Sequence, residues 1–429
     1  MTPTGMASRH FDIDFRFTDE DLNQLFEPFD PLGPTPAEPD LPPLPDADEP
    51  FDPIDWDYLD AVKTGFLADI VNHYFRGRLL GAEKLPNSGP LIVAPNHSGN
   101  AFPHDAMVLD ALLWYARGFT KAAKFRSVFS PKLAATWWMR PFGLDNWWRR
   151  AGGVDMTFAN YDALLRRGDK VIYYPEGVPG IGKGFLKRYQ LQHFYSSFVV
   201  LAARHNAPVY PVSIVNAEWV NPTSVTFAPL NKLFDILFGL PFFPVPTVFL
   251  AFLFPFIFYL AFPCRMTFVI GDPIDVRALL KEEGPHDHQE PDRARVQRVA
   301  ERIRQAAQAR LDEAVAAHGQ RPYEFAGLVR HLRRCRGRIL RTTPLGWPYA
   351  YVRHDRDRLR PPAANRLHAF VRDFDILGFY LPFGWFFLAL MRTLRRPPYG
   401  YRGLSKKERL EREGAYRWSL QRQPLPGKP

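Results

Sequence analysis

The apolar residues of this chain alternate between two kinds of pattern. Four short runs read as buried strands: 90–100 (PLIVAPNHSGN), 170–180 (KVIYYPEGVPG), 207–215 (APVYPVSIV) and 266–276 (MTFVIGDPIDV). The first runs on into a loop and the second ends in a Gly/Pro loop. Between and around them, helical spacing appears over 64–75 (TGFLADIVNHYF), 106–116 (AMVLDALLWYA) and 196–206 (SSFVVLAARHN). Residues 291–318 form an amphipathic helix, with Val296, Val299, Ile303, Ala307 and Leu311 on one stripe and arginines on the other face. Strands alternating with helices predict an α/β domain on a central sheet. Loops at the strand ends are where such sheets place their chemistry.

Two stretches break the alternation. Residues 236–264 run 29 positions without a charge, long enough to span a bilayer. Pro241, Pro244, Pro246, Pro255 and Pro263 argue against a straight spanning helix. A re-entrant or membrane-resting hairpin, an aromatic cap over an acyl groove and a proline-broken core segment are the readings left. Residues 376–391 are a 16-residue charge-free aromatic run followed by Arg392, Arg395 and Arg396. That is short for a span and suits an interfacial helix with a basic flank. Residues 1–55 read as an acidic, mostly disordered leader with 11 prolines. The expected organisation is that leader, an α/β domain over 56–285 with the apolar insertion, and a helical, membrane-associated extension over 286–429.

Charge sharpens this division. The leader holds 14 acidic and two basic side chains, net −12, so the remainder of a chain with net charge +10 carries +22. A basic body suits anionic lipid or an acidic co-substrate. No zinc-finger, basic-zipper or RNP pattern supports nucleic acid. Two cysteines, Cys264 and Cys335, provide neither a disulfide framework nor a CxxC metal spacing, which suits a reducing compartment. The N-terminal residues show no secretory-signal pattern.

Two motifs carry the chemistry. In NHSGNAFPHD (96–105), His97 stands at the end of a buried strand, and Asp105 lies within reach if the loop folds back. A neutral imidazole can take a hydroxyl proton, and a carboxylate on its other nitrogen fixes the tautomer. A structural histidine is the plainer alternative. In YYPEGVPGIGKG (173–184), Gly177 and Gly180 permit close backbone approach and Lys183 adds positive charge, while Glu176 is either a ligand-positioning or a capping carboxylate. Ser98 lacks a GxSxG elbow and reads as structural. A metal hydrolase using His97, His104 and Asp105 as ligands with Glu176 as base is a rival reading. Arg140, Arg149 and Arg150 are candidates for phosphate contacts, and Trp137, Trp138, Trp147 and Trp148 for an interfacial belt.

Together the motifs resemble the glycerolipid acyltransferase superfamily, also called lysophospholipid acyltransferase-like proteins. The resemblance rests on Asn96-His97 with Asp105, Pro175-Glu176-Gly177, and the apolar-Pro strand 208–212, and covers about 75–274. It is closest to the diacylglycerol- and monoacylglycerol-acyltransferase-like branch, which the run 182–194 (GKGFLKRYQLQHF) also resembles. It implies a central mixed sheet flanked by helices, His97 as general base oriented by Asp105, and a fatty acyl group passing from an acyl-CoA or acyl carrier protein thioester to a lipid hydroxyl. The implied oxyanion donors are the backbone N–H groups of 177–180, and Glu176, Gly177, Gly180, Lys183, Arg188, Arg140 and Arg149 line the substrates. No bound cofactor or metal is implied. Membrane lipids are the expected partners, on the cytosolic face of a membrane. Two departures stand out. The family's usual His-x4-Asp spacing is His-x7-Asp here, and Val178-Pro179-Gly180 replaces the Thr-Arg-Ser that supplies an arginine to an acceptor phosphate. A non-catalytic lipid-binding protein on the same fold is the alternative.

Overall fold

A computed structural model describes residues 54, 56–98, 102–118, 120, 124–129, 151–238, 245–284, 292–350 and 364–395. The leader (Ile54 apart), Gly99, Asn100, Trp137, Trp138, Arg140, Trp147, Trp148, Arg149, Arg150 and Arg396 lie outside these residues.

Seven strands form one mixed sheet in the order β1-β7-β6-β2-β5-β3-β4. They are β1 (Arg78–Leu80), β2 (Leu91–Pro95), β3 (Phe125–Phe129), β4 (Val154–Asp155), β5 (Lys170–Ile172), β6 (Val209–Val215) and β7 (Thr267–Ile270). Every pairing is parallel except β6 with β7. The central strands are apolar on both faces, as strands covered on both sides must be. Leu91 and Val93 of β2 enter one core with Val108, Leu109 and Phe268. Ile92 and Ala94 point the other way, into a core with Val171, Phe198, Leu201 and Ile303.

Helices supply the two outer layers. In chain order they include α1 (Trp56–Thr64), α2 (Phe66–Asp69), α3 (His104–Ala116), α4 (Phe158–Arg166), α5 (Gly177–Ile181), α6 (Ser197–Arg204), α7 (Thr247–Leu253), α8 (Asp292–His318), α9 (Phe325–Arg334), α10 (Arg366–Asp373) and α11 (Gly384–Arg395). One layer contains α2 and α3, and the opposite one contains α4, α6 and α8. Helix α8 buries Val296, Val299, Ile303 and Leu311, the expected stripe, against the same core as β2 and β5. The sheet's packing therefore continues beyond residue 285.

The helix expected over 64–75 is interrupted. Gly65 leaves helical geometry (φ −85°, ψ −121°) between α1 and α2, where a residue without Cβ holds the helix weakly. The chain then closes a wide turn over Ile70–Tyr74, in which the Phe75 N–H donates to Ile70 O at 2.9 Å, an i→i−5 bond.

Among the described residues no helix is long and apolar enough to cross a membrane. Within the described part of that stretch, Pro246 precedes α7 and Pro255 opens a tight turn over Pro255–Tyr259; Pro241 and Pro244 lie outside the described residues. One side of it joins the core through Phe258, Tyr259, Ala261 and Cys264, while Phe249, Leu250, Leu260 and Phe262 are exposed. The second apolar run packs onto it. The Phe383 N–H donates to Leu253 O at 2.7 Å, and Trp385 meets Phe252 edge to face. The two stretches thus form one unit, whose outer side also exposes Leu381, Phe383, Phe386, Leu390 and Leu394.

Candidate active site

Because β2 and β5 are parallel neighbours, their carboxyl ends lie side by side on one edge of the sheet. His97 follows β2 and Glu176 follows β5, so topology brings together residues 79 positions apart. Asn96 fixes the end of β2. Its side chain accepts from Ile214 N at 2.7 Å and donates to Ile214 O at 3.3 Å, bracing the strand end against β6. A buried amide satisfied in this way holds the next residue in place.

Two buried carboxylates then hold the turn. Glu176 Oε1 accepts from the His97 N–H at 2.8 Å, and its Oε2 accepts from the Gln192 N–H at 2.7 Å. Asp105, in the first turn of α3, accepts from the Ser98 N–H at 3.1 Å through Oδ2. The same oxygen lies 3.2 Å from His97 Nδ1. With Nδ1 on the carboxylate, Nε2 at the opposite edge of the ring is the atom left to take a proton. Burial raises the Asp105 carboxyl, but hydrogen bonds from His97 and Ser98 outweigh it and bring the group below its ordinary value. Asp105 stays anionic, as a group stabilising an imidazolium must.

The ring is also held by contacts that sequence reasoning missed. Tyr174 stacks on the His97 imidazole, centroids 3.9 Å apart and planes 14° from parallel. Its position two residues before Glu176, alternating across β5's extension, was the available signal. On another side, a Cβ at Gly180 would come within 2.9 Å of His97 Cβ and 2.6 Å of Glu176 Cβ. Only glycine permits that approach. Gly177 takes φ +54° where the chain turns into α5.

Several expected substrate contacts are placed elsewhere. Glu176 is fully buried and spends both oxygens on backbone amides, so it positions the His97 turn instead of meeting substrate. The Lys183 side chain is buried as well; its Nζ lies 3.6 Å from Glu218 Oε1 and donates to Gln190 O at 3.4 Å. An ammonium taken out of water must be paired this way, and the pairing takes Lys183 out of substrate binding. Arg188 is exposed and lies over the rings of Phe185 and Trp219 at 4.8 and 5.8 Å. Arg140 and Arg149 fall outside the described residues. The Gly/Pro loop expected at 177–180 is the short helix α5. Of its amides, Gly177 donates to Tyr174 O at 3.0 Å, Pro179 has no N–H, and Gly180 lies one turn after the N-cap Glu176, where its N–H belongs to the helix's own ladder; Val178 is the first-turn amide that remains.

The metal-hydrolase arrangement does not form. His104 faces inward among Phe75, Phe102 and Trp347, and burial pushes its imidazole down to about 4. Glu176 has no oxygen to spare as a base. Glu218 was likewise missed by sequence reasoning. It accepts from the Tyr189 N–H at 3.1 Å besides pairing Lys183, and so fastens the 182–194 segment beside the dyad.

Residues 77–215 match the model of the Acyltransferase family. Among relatives, the uncharacterized proteins Rv0502 of Mycobacterium tuberculosis and ML2427 of Mycobacterium leprae are each 30% identical over 200 residues, 46% of this chain. The match covers 52% and 50% of those proteins, so the chain spans about half the length of the curated relatives it matches. Among solved structures, the 1-acyl-sn-glycerophosphate (LPA) acyltransferase PlsC from Thermotoga maritima is 17% identical with a TM-score of 0.32; that match covers 61% of this chain and 84% of PlsC. The matched segment, residues 77–215, is the part of the chain that holds His97, Asp105, Glu176 and Gly180.

Proposed function

We propose that this protein transfers a fatty acyl group from an acyl-CoA or acyl carrier protein thioester to a lipid hydroxyl. The observation that carries the reading is the His97 Nδ1–Asp105 Oδ2 pair at a buried strand end, inside the family-matched segment. His97 Nε2 takes the hydroxyl proton, and the oxygen attacks the thioester carbonyl. The N–H group of Val178, in the first turn of α5, is the candidate donor to the oxyanion. Collapse expels the thiolate, which takes the proton from the imidazolium. No acyl-enzyme is needed.

A neutral glycerolipid hydroxyl, as in the diacylglycerol- and monoacylglycerol-acyltransferase-like branch, is the acceptor best supported. The family arginine after Pro-Glu-Gly is replaced here by valine and proline, and the nearest buried cation, Lys183, is paired with Glu218. The exposed apolar side of the α7–α11 unit supports membrane contact without spanning, on the cytosolic face, with Arg392 and Arg395 in the same helix.

The test is thioester consumption with monoacylglycerol, diacylglycerol and lysophosphatidate as acceptors, with lipid products read by mass spectrometry. Consumption that persists unchanged in His97→Ala sinks the mechanism. A preference for lysophosphatidate sinks the acceptor assignment alone. Failure to float with anionic vesicles removes the membrane assignment.

A further inference from the structure

A second cluster of chemistry-bearing side chains lies away from the dyad, where the N-terminal helices meet the C-terminal ones. Asp69 ends α2 and His73 follows four residues later, inside the i→i−5 turn. Opposite them, His331 lies in the last turn of α9 and Cys335 caps it, again four residues apart. Two i,i+4 pairs on facing helical segments point four side chains toward one space. Among the described residues, one trio of His, Cys, Asp or Glu brings a ligand atom from each member within 4.8 Å of the others, and it is Asp69, His73 and Cys335. His331 stands beside this trio, its Nδ1 3.4 Å from His73 Nδ1 but farther than 4.8 Å from at least one other member.

Two of the separations lie near those of a tetrahedral metal centre, and His331 closes onto the trio when the ion binds. Two nitrogens each about 2.05 Å from zinc lie about 3.3 Å apart, and a sulfur and an oxygen ligand about 3.6 Å apart. The observed values are 3.4 Å between the imidazoles and 3.9 Å from Cys335 Sγ to Asp69 Oδ1. A wide helical turn at the His73 position is a second mark, since such turns concentrate at functional sites.

We propose that Asp69, His73, His331 and Cys335 bind one zinc ion, which staples α9 to the turn at Ile70–Tyr74. The mixed N, S and O set suits zinc and disfavours magnesium and calcium, which want oxygen alone. The charges balance: Zn2+ meets the Asp69 carboxylate and the Cys335 thiolate. Binding releases the thiol proton and frees Asp69 from Arg338, a largely exposed side chain now 2.9 Å from Asp69 Oδ2. The inference does not depend on the acyl-transfer reading.

The experiment uses the full chain, stripped of metal and titrated with Co2+. The expected result is one cobalt per chain, tetrahedral visible bands and a thiolate-to-cobalt charge-transfer band, all displaced by zinc. Cys335→Ser should lose the charge-transfer band, and His73→Ala should weaken binding about a hundredfold or more. His97→Ala should leave the titration unchanged. Zinc should raise the thermal midpoint of the wild type and not that of Cys335→Ser. Substoichiometric cobalt in the wild type overturns the proposal whatever the variants do. So does a charge-transfer band that survives Cys335→Ser.

Discussion

Among the described residues there are two buried His–Asp pairs, and comparing them shows what makes one of them a candidate site. His205 Nε2 lies 2.8 Å from Asp162 Oδ1, closer than the 3.2 Å of His97 and Asp105. The side chains are similarly buried in both pairs. Distance and burial therefore do not separate them; position and partners do. His205 caps α6 just before β6, at the amino edge of the sheet, whereas His97 leaves the carboxyl edge of a parallel strand. Arg204 also pairs Asp162 at 3.0 Å, and its guanidinium lies over Phe158. An aspartate already neutralised by arginine has less to offer an imidazolium. Asp105 instead accepts one backbone amide and the imidazole, and the other buried carboxylate of the site, Glu176, holds the His97 backbone.

The sharpest way to break this distinction is to delete each imidazole. His97→Ala should cut kcat about a thousandfold to ten-thousandfold with little change in unfolding midpoint, as measured by thioester consumption and calorimetry. Asp105→Asn comes next, at about a hundredfold to a thousandfold in kcat, because the amide can still accept from Ser98 N–H but no longer stabilises the imidazolium.

Asp162→Asn should leave kcat within about threefold and cost about 2–4 kcal/mol at pH 7, because Arg204 loses its buried counter-charge. Its pH dependence follows from the sign of the shift. Burial raises the Asp162 carboxyl, but His205 and Arg204 outweigh it and hold the group well below its ordinary value. The stability it provides is complete above the unfolded carboxyl value of about 3.9 and drains as pH falls below that. Denaturant unfolding at pH 7 and pH 3 should show the wild-type advantage over Asp162→Asn shrinking at the lower pH.

Gly180→Ala should lower kcat about tenfold to a hundredfold, since its methyl displaces the backbone that carries His97. His205→Ala is expected to have the smallest effect, about 1 kcal/mol of stability and no loss of kcat. If it lowered kcat as far as His97→Ala does, the comparison would collapse.

The central strands β2, β5, β6 and β7 were legible because buried strands are written as local apolar runs. Strands β1 and β4 are three and two residues long and exist through their pairing. Arg126, buried as the second residue of β3, hides that strand's period. The two motifs holding His97, Asp105 and Glu176 stood out in the sequence, since each is local. The partners did not: Lys183 and Glu218, or His73 and His331, meet only after the chain has folded. The role of Glu176 stayed open between positioning a ligand and capping, because a one-dimensional motif does not distinguish a carboxylate that touches a ligand from one that braces the backbone.

Glu176 braces the His97 turn, while Val178 and Pro179, only two and three positions on, stand where the resemblance to glycerolipid acyltransferases implies acceptor contacts. Anchorage and selectivity thus occupy adjoining but separate letters of one short word. Mutation can rewrite the second part while the first stays fixed, so under the proposed function a lineage built on this scaffold can acquire a new alcohol without rebuilding its proton acceptor.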